Sequence, residues 1–242
     1  MTGSVAVGDS PVSRTRAEMA PVFDWFLVAG CAAVAGTLVR AIAFTPIEMR
    51  QGPAQKIFYI HAPAAWVAFL AFGLVAIAGL LYLWLRDPRL DRFAESSAEV
   101  GVVFTTVVLV TGPLWGRPVW GTWWTWDARL TLTLFLWFVY AGYLVLRGAI
   151  DNQEQRARYS AVLGALGALL IPFIHLSVYL FRTLHPQPIV MKPGAPSLPD
   201  EMLVTLLIAF SSFTLLYVAL LRARYRLAEA RSALAYQEGG DA

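Results

Sequence analysis

Trp115 to Arg129 reads WGRPVWGTWWTWDAR, and five of the chain's nine tryptophans fall within its first twelve residues. Gly116, Pro118 and Gly121 interrupt the segment and argue against a continuous helix there. Apolar runs flank it on both sides, so it reads as a connection between two membrane spans. One reading is an aromatic belt, because Trp is enriched where a bilayer meets water. A belt needs one or two rings per helix end. Five rings, two glycines and an acid in one connection exceed that need. They favour an apolar platform beside the membrane, built to hold a large flat ligand.

Composition supports a membrane setting. Of the 242 residues, 58% are hydrophobic and only 14% charged, where a soluble domain carries about 25% charged residues. The mean hydropathy is +0.59. The net charge of +3 is too small to argue for nucleic acid. Cys31 is the single cysteine. An internal disulfide, a thiolate metal cluster and covalent haem attachment through CxxCH are therefore excluded.

Outward from the Trp segment, the sequence predicts an all-α polytopic membrane protein with six transmembrane helices. The spans are Val22–Phe44, Ala62–Leu85, Phe93–Leu114, Leu130–Leu146, Ala161–Leu180 and Glu201–Leu221. Residues 1–21 read as a mobile polar tail and 222–242 as a charged tail that begins as a helix extension. Val28-Ala29-Gly30-Cys31 resembles a lipoprotein cleavage site. However, Asp24 and Trp25 interrupt the core before it and the apolar run continues past it, so the first span reads as uncleaved. Glu95 and Glu99 read as charges suited to a helix N-terminus. Pro172 should kink the fifth span. The tails and even-numbered connections hold twelve of the 19 Lys and Arg, and the odd-numbered connections and their flanks hold seven. That excess places both termini in the cytoplasm and connections one, three and five outside.

Three histidines are present. His61 and His185 fall on the outer side by parity, with the Trp segment, whereas His175 lies inside the fifth span. Ten residues of helix would put His175 roughly 15 Å below His185. A lone histidine is ordinarily a solvated or packing group. Two that converge on an aromatic platform suit the axial positions of haem iron better than structural zinc. Lys56, Arg117, Arg129, Arg182 and Lys192 are the outer-side cations available to haem propionates. Snorkelling to the interface is the plainer role for Arg182 and Lys192. Asp127 reads as a cap of the fourth helix or a partner of Arg129. No GxSxG, phosphate-binding glycine loop or HExxH occurs, so any energy from ATP comes from another chain.

The segment WGRPVWGTWWTWDAR resembles the tryptophan-rich WWD signature of the haem-handling proteins of cytochrome c maturation. The length, the six spans, YIHAPAAW before the second span and TLH before the sixth resemble the CcmC family within that group. The resemblance covers about Val22 to Leu221, the six-helix haem-handling domain with its outward segment 115–129. It implies a non-hydrolytic protein of the bacterial inner membrane that binds haem b non-covalently at the periplasmic face. The haem would be delivered to the haem chaperone CcmE. CcmA and CcmB transporter subunits and the small membrane protein CcmD would be partners. By that resemblance His61 and His185 are the axial ligands, and Trp115, Trp120, Trp123, Trp124, Trp126 and Asp127 form the platform. Lys56 and Arg129 are the basic contacts, and His175 has no role. Two alternatives are a synthetase-type haem lyase acting on apocytochrome c and a membrane haem permease subunit. A permease would line its spans with polar groups, and the span interiors are nearly charge-free. The orientation is open to a direct check. A reporter active only outside the cytoplasm should be active when fused after Gly121 and silent after Asp151, and the reverse pattern would sink the parity assignment.

Overall fold

The computed structural model describes residues 24–187, 189, 190, 192 and 194–240. The 1–21 tail, with Arg14 and Arg16, lies outside the described residues. The described residues are all-helical, with six helices among them long and apolar enough to cross a membrane. They comprise α1 (Trp25–Ala43), α2 (Phe58–Leu85), α3 (Pro88–Trp120), α4 (Ala128–Ala149), a span made of α5 (Gln153–Ala168) and α6 (Leu170–Leu180), and α7 (Asp200–Gly240). A short 3-10 turn, Gly52–Ile57, leads into α2. In a bilayer only such internally bonded segments satisfy the backbone.

The helix starts are written in the sequence. Asp24 accepts from the amides of Phe26 and Leu27, Asp87 from Arg89, Asp127 from Leu130 and Asn152 from Gln155. Pro88 occupies the first position of α3, where no donor is lost.

The ends depart from the sequence pattern in four places. First, α3 does not stop at Leu114 but continues through Gly116 and Pro118 to Trp120, ending at Gly121 with φ 78°. Pro118 forfeits a single bond there, in the last turn. A Cβ on Gly116 would sit 3.2 Å from the Trp120 ring, so this glycine makes room for that ring rather than breaking the helix. Second, α5 begins at Gln153, well before Ala161, under the Asn152 cap. Third, the disturbance expected at Pro172 shows as a one-residue interruption at Leu169, which keeps helical dihedrals (φ −61°, ψ −22°), because Pro172 has no N–H for the Ala168 carbonyl. Fourth, Glu95 and Glu99 lie beyond the first turn of α3 and serve as ion-pair partners rather than end charges. The helix extension expected after Arg222 is present.

α2 and α3 form the central antiparallel pair, with α7 packed on one side of both and bringing α1 with it. α4 lies against α3, and α5 against α2. One core joins Val67, Ala71, Phe104, Val108, Phe213 and Tyr217. The other joins Phe72, Val75, Leu136, Tyr140, Tyr143 and Ile174, with the Phe72 and Tyr140 rings stacked 3.7 Å apart. A Cβ on Gly101 would meet the Phe72 ring at 2.6 Å, so glycine sets the approach of α2 to α3.

The end of the bundle opposite the Trp segment is tied by charge. Arg147, whose side chain is 3% exposed, donates to both oxygens of Asp91 at 2.6 and 2.9 Å and to Glu95 at 2.9 Å. Arg224 pairs with Glu99. Arg147→Leu would leave the buried Asp91 without its partner and should cost about 3 kcal/mol. Adding Asp91→Leu should recover most of that loss, because no buried charge then remains unpaired. Thermal unfolding in detergent reads both; a double variant as unstable as the single one would show that packing, not charge, is what Arg147 supplies.

Candidate functional site

A cavity of about 620 Å³ opens beneath the Trp segment, within the usual range for ligand pockets. Its walls come from α2, α3, α4, α6, α7 and connection five. Alanines on the α2 face, Ala62, Ala65 and Ala68, leave it room.

His61 lies in the first turns of α2, not at the end of a loop. Its Nδ1 is 2.9 Å from the Thr111 hydroxyl of α3. That hydroxyl donates its own hydrogen to the Val107 carbonyl at 2.7 Å, so it can only accept from His61. The tautomer is thereby set with Nδ1 protonated, and the Nε2 lone pair remains for a ligand. Gly112 permits this placement, since a Cβ there would sit 3.3 Å from the His61 ring.

From His61 an arc of rings leads to His185. His61 meets Trp115 edge-on at 5.7 Å, Trp115 lies 6.2 Å from Trp120, and Trp120 lies 5.3 Å from His185. Trp115 is held in place by its Nε1, which donates to Gln51 at 3.0 Å. The helical continuation through Trp120 sets the spacing of the two rings along α3. Connection five, which carries His185, is tethered by the Leu184 amide donating to Asp127 Oδ2 at 3.3 Å. Asp127 is thus a cap and a strut at once. The His185 Nδ1 is buried without a hydrogen-bond partner among the described residues. Burial, with the Arg129 charge adding and Asp127 opposing, pushes its pKa down to about 4. At neutral pH the ring is uncharged and retains a free lone pair.

The other candidates separate clearly. Trp115, Trp120, Trp123, Trp124 and Arg129 line the cavity. Trp124 keeps its Nε1 buried and unbonded among the described residues. Trp126 stacks edge-on against Trp124 but is 76% exposed and lies outside the lining. Lys56 also stands away, with its ammonium on the carbonyls of Thr45 and Pro46. Its long chain folds back on connection one, which the sequence alone does not reveal. Arg117 donates to the Gly121 carbonyl and Lys192 to Ser197. Among the described residues Arg129 is the one cation in the lining, and no hydrogen bond or ion pair occupies its guanidinium.

Gln51 and Thr111 were not singled out by sequence, and His175 was placed inside the fifth span without a role. Gln51 and Thr111 are ordinary polar residues until folding sets them against Trp115 and His61. His175 lines the cavity. Because α6 ends at Leu180, it lies only about five residues, roughly 7.5 Å, below that helix end. Among the described residues no three His, Cys, Asp or Glu side chains converge to hold a bare metal ion.

The model of the family described as CcmC, heme exporter protein C, matches residues 10–237. Heme exporter protein C of Bradyrhizobium diazoefficiens is 41% identical over 208 residues, covering 86% of this chain and 79% of that protein. The Haemophilus influenzae protein of the same name is 37% identical over 190 residues, 78% of this chain and 77% of its own length. A cytochrome c biosynthesis ccmC-like mitochondrial protein of Marchantia polymorpha is 37% identical over 191 residues, covering 79% of this chain and 78% of that protein. The His61 tautomer can be tested without any ligand. Nitrogen NMR of labelled histidine should show His61 protonated at Nδ1, and Thr111→Val should mix the tautomers; no change on that substitution would remove Thr111 as the orienting group.

Proposed function

We propose, for a chain that belongs to the heme exporter protein C family, that it holds haem beneath the Trp segment at the periplasmic face of the bacterial inner membrane and delivers it to the chaperone CcmE. One observation carries this reading. Two neutral imidazoles with free lone pairs, His61 and His185, stand at the two ends of one aromatic arc in one cavity.

The residues fit haem b. His61 and His185 would hold the iron, and bound haem would supply a metal with two axial positions for imidazole. The Trp115 and Trp120 rings would cover the porphyrin, and the indole of Trp124 offers a buried donor without a partner. Arg129 would meet a propionate, for it is a half-buried cation with no anion bonded to it. No cysteine lies in the cavity lining, so attachment would be non-covalent.

Release is eased by where the two imidazoles sit. His61 is fixed on a helix with its ring bonded to a second helix. His185 sits on an irregular connection, next to the Leu184 amide that donates to Asp127. Moving that connection would free one axial ligand while the other stays in place. CcmA and CcmB as transporter subunits and CcmD as a small companion complete the proposed assembly, and ATP hydrolysis belongs to the partners.

Purified wild-type protein should show the low-spin spectrum of bis-imidazole haem. His61→Ala combined with His185→Ala should abolish that low-spin signal at equal protein. Trp124→Ala or Asp127→Ala should lower haem transfer to CcmE while leaving protein levels in the membrane unchanged. A wild-type complex without low-spin haem, or a double variant that retains it, would overturn the assignment of the ligand pair.

A further inference from the structure

We propose that His175 is a third haem-iron ligand, holding the porphyrin at an inner station of the same cavity, separate from the His61–His185 station. The inference rests on the haem reading above and extends it to a residue that reading leaves idle.

The helix interruption at Leu169 is the first observation. α5 packs closely along α2, where a Cβ on Gly79 would lie 3.1 Å from Ala161 and one on Gly164 would lie 2.9 Å from Val75. Beyond the interruption, α6 packs on α4 and against α5. The upper face of α2, with Ala62, Ala65 and Phe69, is left to the cavity, and α6 supplies Ile174 and His175 to its wall. His175 therefore shares the space that also holds His61 and His185.

Depth is the second observation. The pairs Gly79–Ala161 and Val75–Gly164 set the register between the two spans. Continued along the helices, that register places His175 about four residues, roughly 6 Å, below His61. Side chains on a helix lean toward its N-terminus. α2 starts at the Trp end and α6 runs toward it, so His61 leans up and His175 leans down. The two rings diverge, and His175 serves an iron position of its own.

The third observation is what surrounds the ring. His175 neighbours the Tyr179 ring at 6.3 Å, and no hydrogen bond or ion pair holds its imidazole among the described residues. The cavity it lines also takes Phe69, Leu136 and Ile174 into its wall, together with Thr105 and Thr133. An ionisable side chain at membrane depth is costly and marks a site when nothing in the protein satisfies it. A porphyrin satisfies both parts of this environment, its iron taking the nitrogen and its apolar edge the wall. The imidazole lone pair forms one Fe–N bond, a water ligand leaves the iron, and no oxidation state changes.

The test adds ferric haem to purified full-length protein in detergent and compares three variants. The His61→Ala/His185→Ala double variant should retain haem as a five-coordinate, high-spin species with one imidazole. Adding His175→Ala should abolish that residue of haem. Adding His175→Cys instead should convert its spectrum to a thiolate-ligated type, which a packing role for His175 would not produce. A double variant that binds no haem overturns the inner station and leaves the His61–His185 reading intact. So does residual haem that is insensitive to both His175 changes. Loss of low-spin haem from the wild type, by contrast, is a failure of the outer site and not of His175.

Discussion

The end of the bundle that carries the Trp segment depends on the hydrogen bond between His61 Nδ1 and Thr111. It joins the first turns of α2 to the last turns of α3, and those two helices are the central pair. The bond exists only because the helices approach within glycine distance at Gly101 and again at Gly112. The same contact sets Trp115, one turn beyond Thr111, beside the His61 ring. Loss of the α2–α3 register would therefore misplace the imidazole and the first ring of the arc together.

A different kind of connection holds the opposite wall. His185 and its connection reach the rest of the site through Asp127, whose two oxygens are divided between helix and loop. One accepts from Leu130 and starts α4, and the other accepts from Leu184. The carboxylate thus couples the end of the Trp segment to the ligand-bearing loop. Beside it, the Trp120–His185 ring contact and the packing of Val190 and Leu198 on the Tyr59–Leu206 cluster also hold this connection.

Polar groups within the spans are treated differently at the two ends. Away from the Trp segment, Arg147 and Arg224 are each matched by carboxylates, which hold α3, α4 and α7 in place. Beneath the Trp segment, Arg129 and His175 line a cavity, and among the described residues neither side chain is held by a hydrogen bond or ion pair, though the Asp127 charge acts on Arg129. The low dielectric makes unpaired groups costly, so the contrast marks one end as a structural clamp and the other as a place for something bound.

Much of this was legible in the chain itself. Six apolar runs long enough to cross a bilayer determined the span count, because backbone groups in hydrocarbon must bond internally. Asp24, Asp87, Asp127 and Asn152 announced helix starts through their side-chain oxygens. The clustering of five tryptophans announced a site, since a membrane boundary alone needs fewer. What sequence could not decide were properties of contacts between distant residues. Gly116 and Pro118 read as breakers, yet α3 passes through them because Trp120 packs into the space the glycine leaves. Lys56 read as a site cation, yet its flexible chain reaches two carbonyls of connection one. His175 read as remote because residue spacing measures distance along a helix, and only the packed helices showed that the cavity reaches it. Residue types and periodicity set which helices form. Which side chains share a cavity is set by the register between helices, which exists only once the helices have packed.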